Sequence, residues 1–324
     1  MRGGTTDRRR TCLIVTFLRV ENFQNLLNKC KHANIERVYI AIDGPRNQNE
    51  YDIQSQYDQI LLQYREFFDV KIWRRQNNLG IGLSIVTAID WYFRNEDYGI
   101  ILEDDLEISD SFFDFMFDGL SYFEQDRRIS MISGDRFFSP MPYSENISFT
   151  NYPQTWGWGT WKIEWKSMRQ IYEVIPKFSP HSPFKVYSFW LLGYLRVLSR
   201  KVDTWDIPLG YYMLKNNMYS VLPPKNLVSN VGFDLYSSHT TTNEFPLNIP
   251  RFEIPNYNFS NSISIQETSF YNVRLEKFVF KIKFLHNISY TKFIVQSFLR
   301  NLFHSKSNDF YAFKSSLDKI TIPD

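Results

Sequence analysis

A chain of 324 residues, 43% hydrophobic and 22% charged, is long enough for one large domain or two modest ones and too apolar to be disordered. A net charge of +2 excludes any argument for a nucleic-acid partner from the totals. The two cysteines, Cys12 and Cys30, form no C-x-x-C pair and no disulfide framework, which points to a reducing, cytoplasmic compartment; no run reaches the ~18 apolar residues of a membrane span.

Residues 1–10 read as a polar tail. The apolar run that follows, Cys12 to Leu18, is cut by Arg19 and lacks a small-residue cleavage site, so it predicts a first strand rather than a signal peptide. From there strands and helices alternate. TCLIVTFLR (11–19) predicts a strand and VENFQNLLNKCKHA (20–33) a helix with Phe23, Leu26, Leu27 and Cys30 on its apolar face. RVYIAID (37–43) predicts a second strand closed by the turn GPRN, QYDQILLQYREFF (56–68) a helix, and DVKIWRR (69–75) a third strand. LSIVTAIDWYFRNE (83–96) predicts a helix and YGIILEDD (98–105) a fourth strand. A helix capped by Ser109 or Asp110 follows, and RISMISG (128–134) predicts a fifth strand.

Apolar strands alternating with helices predict an α/β fold with a mostly parallel, twisted sheet covered on both faces. Ligands of such sheets bind beyond the carboxyl ends of the strands. The polar residues at those ends are Arg19, Asp43-Gly44, Arg74 to Asn78, Glu103-Asp104-Asp105 and Gly134-Asp135. Three adjacent carboxylates ending a buried strand repel one another, and a divalent cation is the obvious missing charge. Oxygen ligands suit Mg²⁺ or Mn²⁺, which take one or two protein carboxylates and share their shell with substrate phosphates. The bland alternative is an acidic loop capping the next helix. Asp43-Gly44-Pro45-Arg46 reads as turn chemistry or as a hydrogen-bond acceptor for a base or sugar. Asn78-Leu79-Gly80-Ile81-Gly82 places glycines before a helix, where backbone N–H groups approach a ligand closely; the G-K-[ST] ending of a P-loop is absent.

Past residue 150 the pattern changes. Trp156-Gly157-Trp158-Gly159-Thr160-Trp161 is a poor helix and an odd core strand, and reads as a stacking surface for sugar rings or as a hydrophobic corner; Trp161 and Trp165 are assigned to the core. In Asp203-Thr204-Trp205-Asp206, Asp206 reads as a general base, as the N-cap of the helix IPLGYYMLKNN, or as both. His239 is a potential metal or phosphate ligand. Residues 271–306 carry seven Lys/Arg against one acid, Glu276, among many Phe, Ile and Leu. That composition fits either a peripheral contact with the inner face of an anionic membrane or a helical pair closing the domain. Three N-x-S sequons, at Asn146, Asn258 and Asn287, read as accidental.

Taken in order, strand–Arg19, DGPR, NNLGIG, IILEDDLEISDSFF, WGWGTW, TWD, NLVSNVGF and SHT resemble bacterial GT-A-fold glycosyltransferases of surface-polysaccharide clusters. These are similar in turn to the N-acetylglucosaminyltransferase that starts complex N-glycan branching. The resemblance covers roughly residues 11 to 242. It implies a GT-A domain at 11–245, with a nucleotide-sugar half (11–135) and an acceptor half (136–245); residues 246–324, read as a partly helical extension, have no counterpart in it. It implies that Arg19 and Asp43 hold the nucleotide, that Glu103 and Asp104 bond the donor's sugar and ribose, and that Asp105 ligates the metal with His239 near the diphosphate. Asn78, Gly80, Trp156, Gly157 and Trp158 complete the expected donor site. Asp206 is the implied base, although the resembled enzyme has Trp-Asp-Asp where this chain has Trp205-Asp206-Ile207. The activity implied is inverting, metal-dependent transfer from a nucleoside diphosphate sugar, UDP-linked as in the resembled enzyme, to a glycan or lipid-linked saccharide. The competing readings are a retaining transferase on the same fold and a carbohydrate-binding protein without catalysis.

Overall fold

A computed structural model describes residues 9–138, 145–174, 184–232, 249–260, 262–282 and 311–323. The strands expected from the apolar runs are present as β1 (Thr11–Thr16), β2 (Arg37–Ile42), β3 (Asp69–Arg74), β4 (Tyr98–Glu103) and, after a short β5 (Leu106–Ile108), β6 (Ile129–Ser133). Between them run α1 (Val20–His32), α2 (Gln48–Tyr64), α3 (Ile81–Asn95) and α4 (Phe112–Phe123). The second half adds β7 (Ser148–Thr150), β8 (Trp158–Trp161), α5 (Lys162–Arg169), α6 (Phe184–Leu198), α7 (Ile207–Asn216), β9 (Tyr219–Leu222) and β10 (Val228–Asn230). Two further helices, α8 (Ile265–Arg274) and α9 (Ala312–Leu317), follow.

Eight strands form one sheet in the order β3-β2-β1-β4-β8-β6-β9-β7. β3, β2, β1 and β4 are parallel, as are β6 and β9; β8 runs antiparallel between β4 and β6, and β7 antiparallel on β9. This is the mostly parallel α/β sheet flanked by helices that the sequence predicts. Alternation along β1 sends Leu13 and Val15 into one core and Cys12 and Ile14 into the other, so each face of the sheet is sealed by helices. The exposed edge strand β3 carries Asp69, Lys71 and Arg74, charges that discourage pairing with another chain.

Where the chain departs from expectation, a contact distant in sequence decides. α1 buries the four residues that its spacing selects. α2 begins at Gln48 rather than Gln56, because the Asn47 side chain accepts the Glu50 N–H at 3.0 Å and starts the helix on a polar stretch with no apolar period. α4 is not capped by the side chain of Ser109 or Asp110. Its entry is held by Glu253, whose carboxylate accepts the N–H groups of Asp110 and Ser111, both at 2.9 Å. WGTW, a poor strand by composition, becomes β8 because pairing on both sides supplies what local propensity does not. Trp161 and Trp165 are core residues as expected. Tyr271, Leu275, Phe313 and Leu317, from the C-terminal helical segments, lie in the same core as β1 and α3, and Phe313 stacks on Tyr172 at 5.3 Å. Burial of each such side chain contributes about 1.5–3 kcal/mol.

Of the basic and apolar stretch 271–306, the part up to Ile282 is described; Val273 and Phe278 are exposed there, beside Arg274 and Lys277, and the remainder lies outside the described residues. No helix among the described residues is long and apolar enough to cross a membrane.

Just past β6, Asp135 is fully buried. Its Oδ1 accepts the Ser133 hydroxyl at 2.9 Å and the Trp156 N–H at 3.1 Å, but burial outweighs these bonds and raises its pKa from 3.8 to about 7. Between those values the folded chain holds a proton that the unfolded chain releases, so this group subtracts stability as pH rises, by up to about 4 kcal/mol above neutrality. Asp135→Asn keeps the accepting Oδ1 and has no charge to bury. Urea unfolding is expected to show the variant more stable than wild type by at least ~1 kcal/mol at pH 8, with the difference closing toward pH 4. A difference independent of pH would show that burial of the charge is not what Asp135 costs the fold.

Candidate active site

The parallel registers bring the carboxyl ends of β2, β1 and β4 to one level, with Thr16 opposite Ile42 and Val15 opposite Glu103. The residues that leave these strands face a cavity of about 340 Å³. Arg19, Asp43, Asn78, Gly80, Glu103, Asp104 and Asp105, all expected in the site, line it. A larger cavity of about 660 Å³ lies along α1, β5 and α4, away from the strand ends; its charges are paired internally, Lys29 with Asp110 at 2.5 Å and Arg251 with Glu107. None of the expected site residues lines this larger cavity.

The three acids of the triplet do different things. Asp104 turns back into the fold. Its Oδ2 accepts the Thr16 hydroxyl and the Phe17 N–H, both at 2.8 Å, and its Oδ1 lies 3.3 Å from the Arg19 guanidinium. It thus ties the end of β1 to the end of β4 and orients Arg19. Glu103 ends β4 and Asp105 lies in the turn that follows it, where the Asn230 amide reaches its carboxylate. Burial holds Glu103 well above the usual carboxylate range, and the charges of Asp105, Asp206 and Asp104 push it further against the pull of Arg19. Burial, with Asp104, raises Asp105 to about 6, against Arg19 and the Asn230 amide, whose Nδ2 donates to Oδ2 at 3.3 Å. Gly232 leaves open the space beside Asp105: a Cβ there would lie 2.7 Å from Oδ2.

Asp43 is also committed to the backbone. Its carboxylate accepts N–H groups from Gly44 at 3.0 Å and Leu79 at 3.1 Å, while the Asn78 amide donates to the Gly44 carbonyl at 3.0 Å. The loop before α3 is thereby clamped to the end of β2. Burial nonetheless raises the Asp43 pKa, with Leu79, Arg75 and Gly44 opposing. At Gly80 the backbone adopts φ +79° and ψ 164°, a region essentially reserved for glycine. The glycine turn does present N–H groups, as expected, but an internal carboxylate takes them. Asp203 accepts Ile81 N–H on Oδ2 at 3.1 Å and Gly82 N–H on Oδ1 at 3.0 Å, and caps α3 from across the molecule.

Asp206 occupies the N-cap position of α7, with Pro208 in the first turn, but its side chain does not cap the helix. Its Oδ1 accepts the Thr204 hydroxyl at 2.6 Å. The segment is pinned on both sides of this bond: Trp205 stacks on Trp158 at 5.6 Å and 21°, and the Trp205 carbonyl accepts the Tyr172 hydroxyl. Asp206 does not line the cavity, yet its charge reaches Glu103.

Trp158 requires a correction. It is wholly buried in β8 and stacked on Trp205, so it offers no face to a sugar; its role is to hold the segment that carries Asp206. Gly157 packs against Phe112, and its carbonyl accepts the Gly134 N–H at 2.7 Å, away from the cavity. Trp156 is part-exposed and packs on Phe137 at 5.2 Å. His239 lies outside the described residues. Asp203, Asn230 and Gly232 line the cavity without having been assigned roles from the sequence, although DTWD and NLVSNVGF were the segments to search.

Among the described residues no group of three or more His, Cys, Asp or Glu side chains is arranged to hold a metal ion. The donor set fits instead a hard divalent cation held by one or two carboxylates and completed by phosphate and water: Glu103 and Asp105 are oxygen donors whose repulsion a cation would relieve.

No family model matches the sequence, and no curated protein matches it. Among solved structures the chain is similar to a UDP-glucose pyrophosphorylase complexed with UDP-glucose, with TM-score 0.40 and 9% identity over 69% of this chain and 93% of that one. The apo form of UDP-glucose pyrophosphorylase gives 0.38 at 9% identity over the same shares. A 4-diphosphocytidyl-2C-methyl-D-erythritol synthase from Anaerococcus prevotii DSM 20548 gives 0.33 and 11% over 56% of this chain and 84% of that one. Likeness this loose carries no functional argument, and the reading below rests on the site.

Proposed function

We propose that the protein is a metal-dependent glycosyltransferase of GT-A type, moving a sugar from a nucleoside diphosphate sugar to a saccharide acceptor, free or lipid-linked, with inversion. The observation that carries this reading is the gathering of Glu103, Asp105 and Arg19 on one cavity at the strand ends, with Asp206 outside its lining yet close enough for its charge to act on Glu103. A carbohydrate-binding surface has no need of that arrangement, and the ring that best suited the binding reading, Trp158, is in the core.

In this mechanism Arg19, fixed by Asp104, meets the nucleotide, and Asp105, with Glu103 beside it, meets the diphosphate end. A Mn²⁺ or Mg²⁺ held there, when bound, neutralises the charge that develops on the leaving diphosphate. Asp206 takes the proton of the acceptor hydroxyl as its oxygen attacks the anomeric carbon from the face opposite the diphosphate. The C–O bond to the diphosphate breaks with the electron pair leaving on oxygen, and the product anomer is inverted. Thr204, donating to Oδ1, sets the carboxylate plane.

Thermal unfolding tests the reading cheaply. Mn²⁺ and UDP together are expected to raise the melting temperature beyond the effect of either alone, because a ligand bound only by the folded state stabilises it. Equal melting curves across those conditions would remove the donor site, and a retained anomer in the product would replace inversion by retention.

A further inference from the structure

We propose that Asp203 is the residue that makes this cavity select a diphosphate carrying an uncharged sugar over a triphosphate or an acidic sugar. The inference rests on the nucleotide-sugar reading above and deepens it. The N-terminus of a helix behind a glycine turn attracts anions, since its N–H groups are unpaired and its dipole is positive. At α3 that position is already filled: both oxygens of Asp203 accept from the first N–H groups of the helix. The carboxylate also lines the cavity, next to Gly80 and Ile81 and on the same wall as Ser84. The fit is close, since a Cβ on Gly80 would lie 2.3 Å from Oδ2 and one on Gly82 2.9 Å from Oδ1, so the glycines are what let Asp203 seat. A third phosphate or a uronate reaching this wall meets a fixed negative charge where it would otherwise find helix N–H donors. A neutral sugar meets a hydrogen-bond acceptor for its hydroxyls.

The test is calorimetric binding with Mn²⁺ present, using UDP, UTP, UDP-glucose and UDP-glucuronate and the corresponding guanosine diphosphate, triphosphate and mannose conjugate. Wild type is expected to favour the diphosphate neutral sugar over the triphosphate by at least about tenfold, since like-charge juxtaposition costs several kcal/mol and 1.4 kcal/mol is tenfold. Asp203→Asn should bring that ratio close to one, mainly by tightening the triphosphate and UDP-glucuronate rather than by weakening UDP-glucose. Asp203→Ser, which removes the charge with a smaller polar side chain, should do the same, and a melting curve of each variant guards against a loss of folding. If wild type prefers the triphosphate, or if both variants fold and keep the wild-type ratio, Asp203 is a helix cap and nothing more. Failure of both diphosphates to bind wild type would instead overturn the nucleotide-sugar reading, and this inference with it.

Discussion

Asp206→Asn is expected to lower turnover by at least ~10²-fold while leaving donor affinity near that of wild type, because general-base assistance is typically worth ~10²–10⁴-fold. The substitution isolates the proton. Asparagine keeps an oxygen able to accept the Thr204 hydroxyl, and the backbone of the segment stays pinned by the Trp205–Trp158 stack and the Tyr172 hydroxyl. A loss of folding would therefore be a surprise, and a melting curve checks it. What is removed is the ability to take a proton from an attacking hydroxyl. Steady-state kinetics alongside donor titration separate the two effects. Normal turnover in a folded Asp206→Asn protein would move the base elsewhere, and a parallel loss of donor binding would make Asp206 part of the donor site.

Asp105→Ala is expected to abolish the metal-dependent part of donor binding, a loss of at least ~10-fold to 100-fold, the scale on which perturbing a metal site acts. Calorimetry with UDP, with and without Mn²⁺, reads it directly. In wild type the cation should tighten UDP; in the variant it should make little difference. The neighbouring Asp104 is no substitute for this experiment. Its carboxylate holds Thr16, Phe17 and Arg19, so removing it disturbs the junction of β1 and β4 before it touches any ligand. Unchanged Mn²⁺-dependent affinity in Asp105→Ala would refute the assignment of the cation to this carboxylate.

Much of the frame was legible because it is local. The apolar runs that became β1, β2, β3, β4 and β6 need only their own side chains to declare themselves, and α1 buries the residues that its period predicts. What escaped was decided across the chain. The start of α4 depends on Glu253, and α3 on Asp203; neither partner is near its helix in sequence. β8 could not be read from Trp-Gly alternation because its stability comes from two neighbours rather than from its composition. Trp158 looked like a binding surface for the same reason: tryptophan beside glycine suits a sugar or a tight core equally, and only packing distinguishes them.

The sequence alone determined that several carboxylates and an arginine gather where parallel strands end, since strand direction and side-chain alternation follow from local pattern. Only the tertiary structure decided which of them are already employed. Asp43, Asp104 and Asp203 are taken up by backbone N–H groups from other elements, because an N–H at a loop or helix end must find an acceptor when it is withdrawn from water. Glu103 and Asp105 are left crowded and short of countercharge, and Asp206 is held nearby on a tryptophan stack. The division between acids that build the site and acids that face its ligand is a matter of which distant donors reach them, and that is settled by folding rather than by spacing.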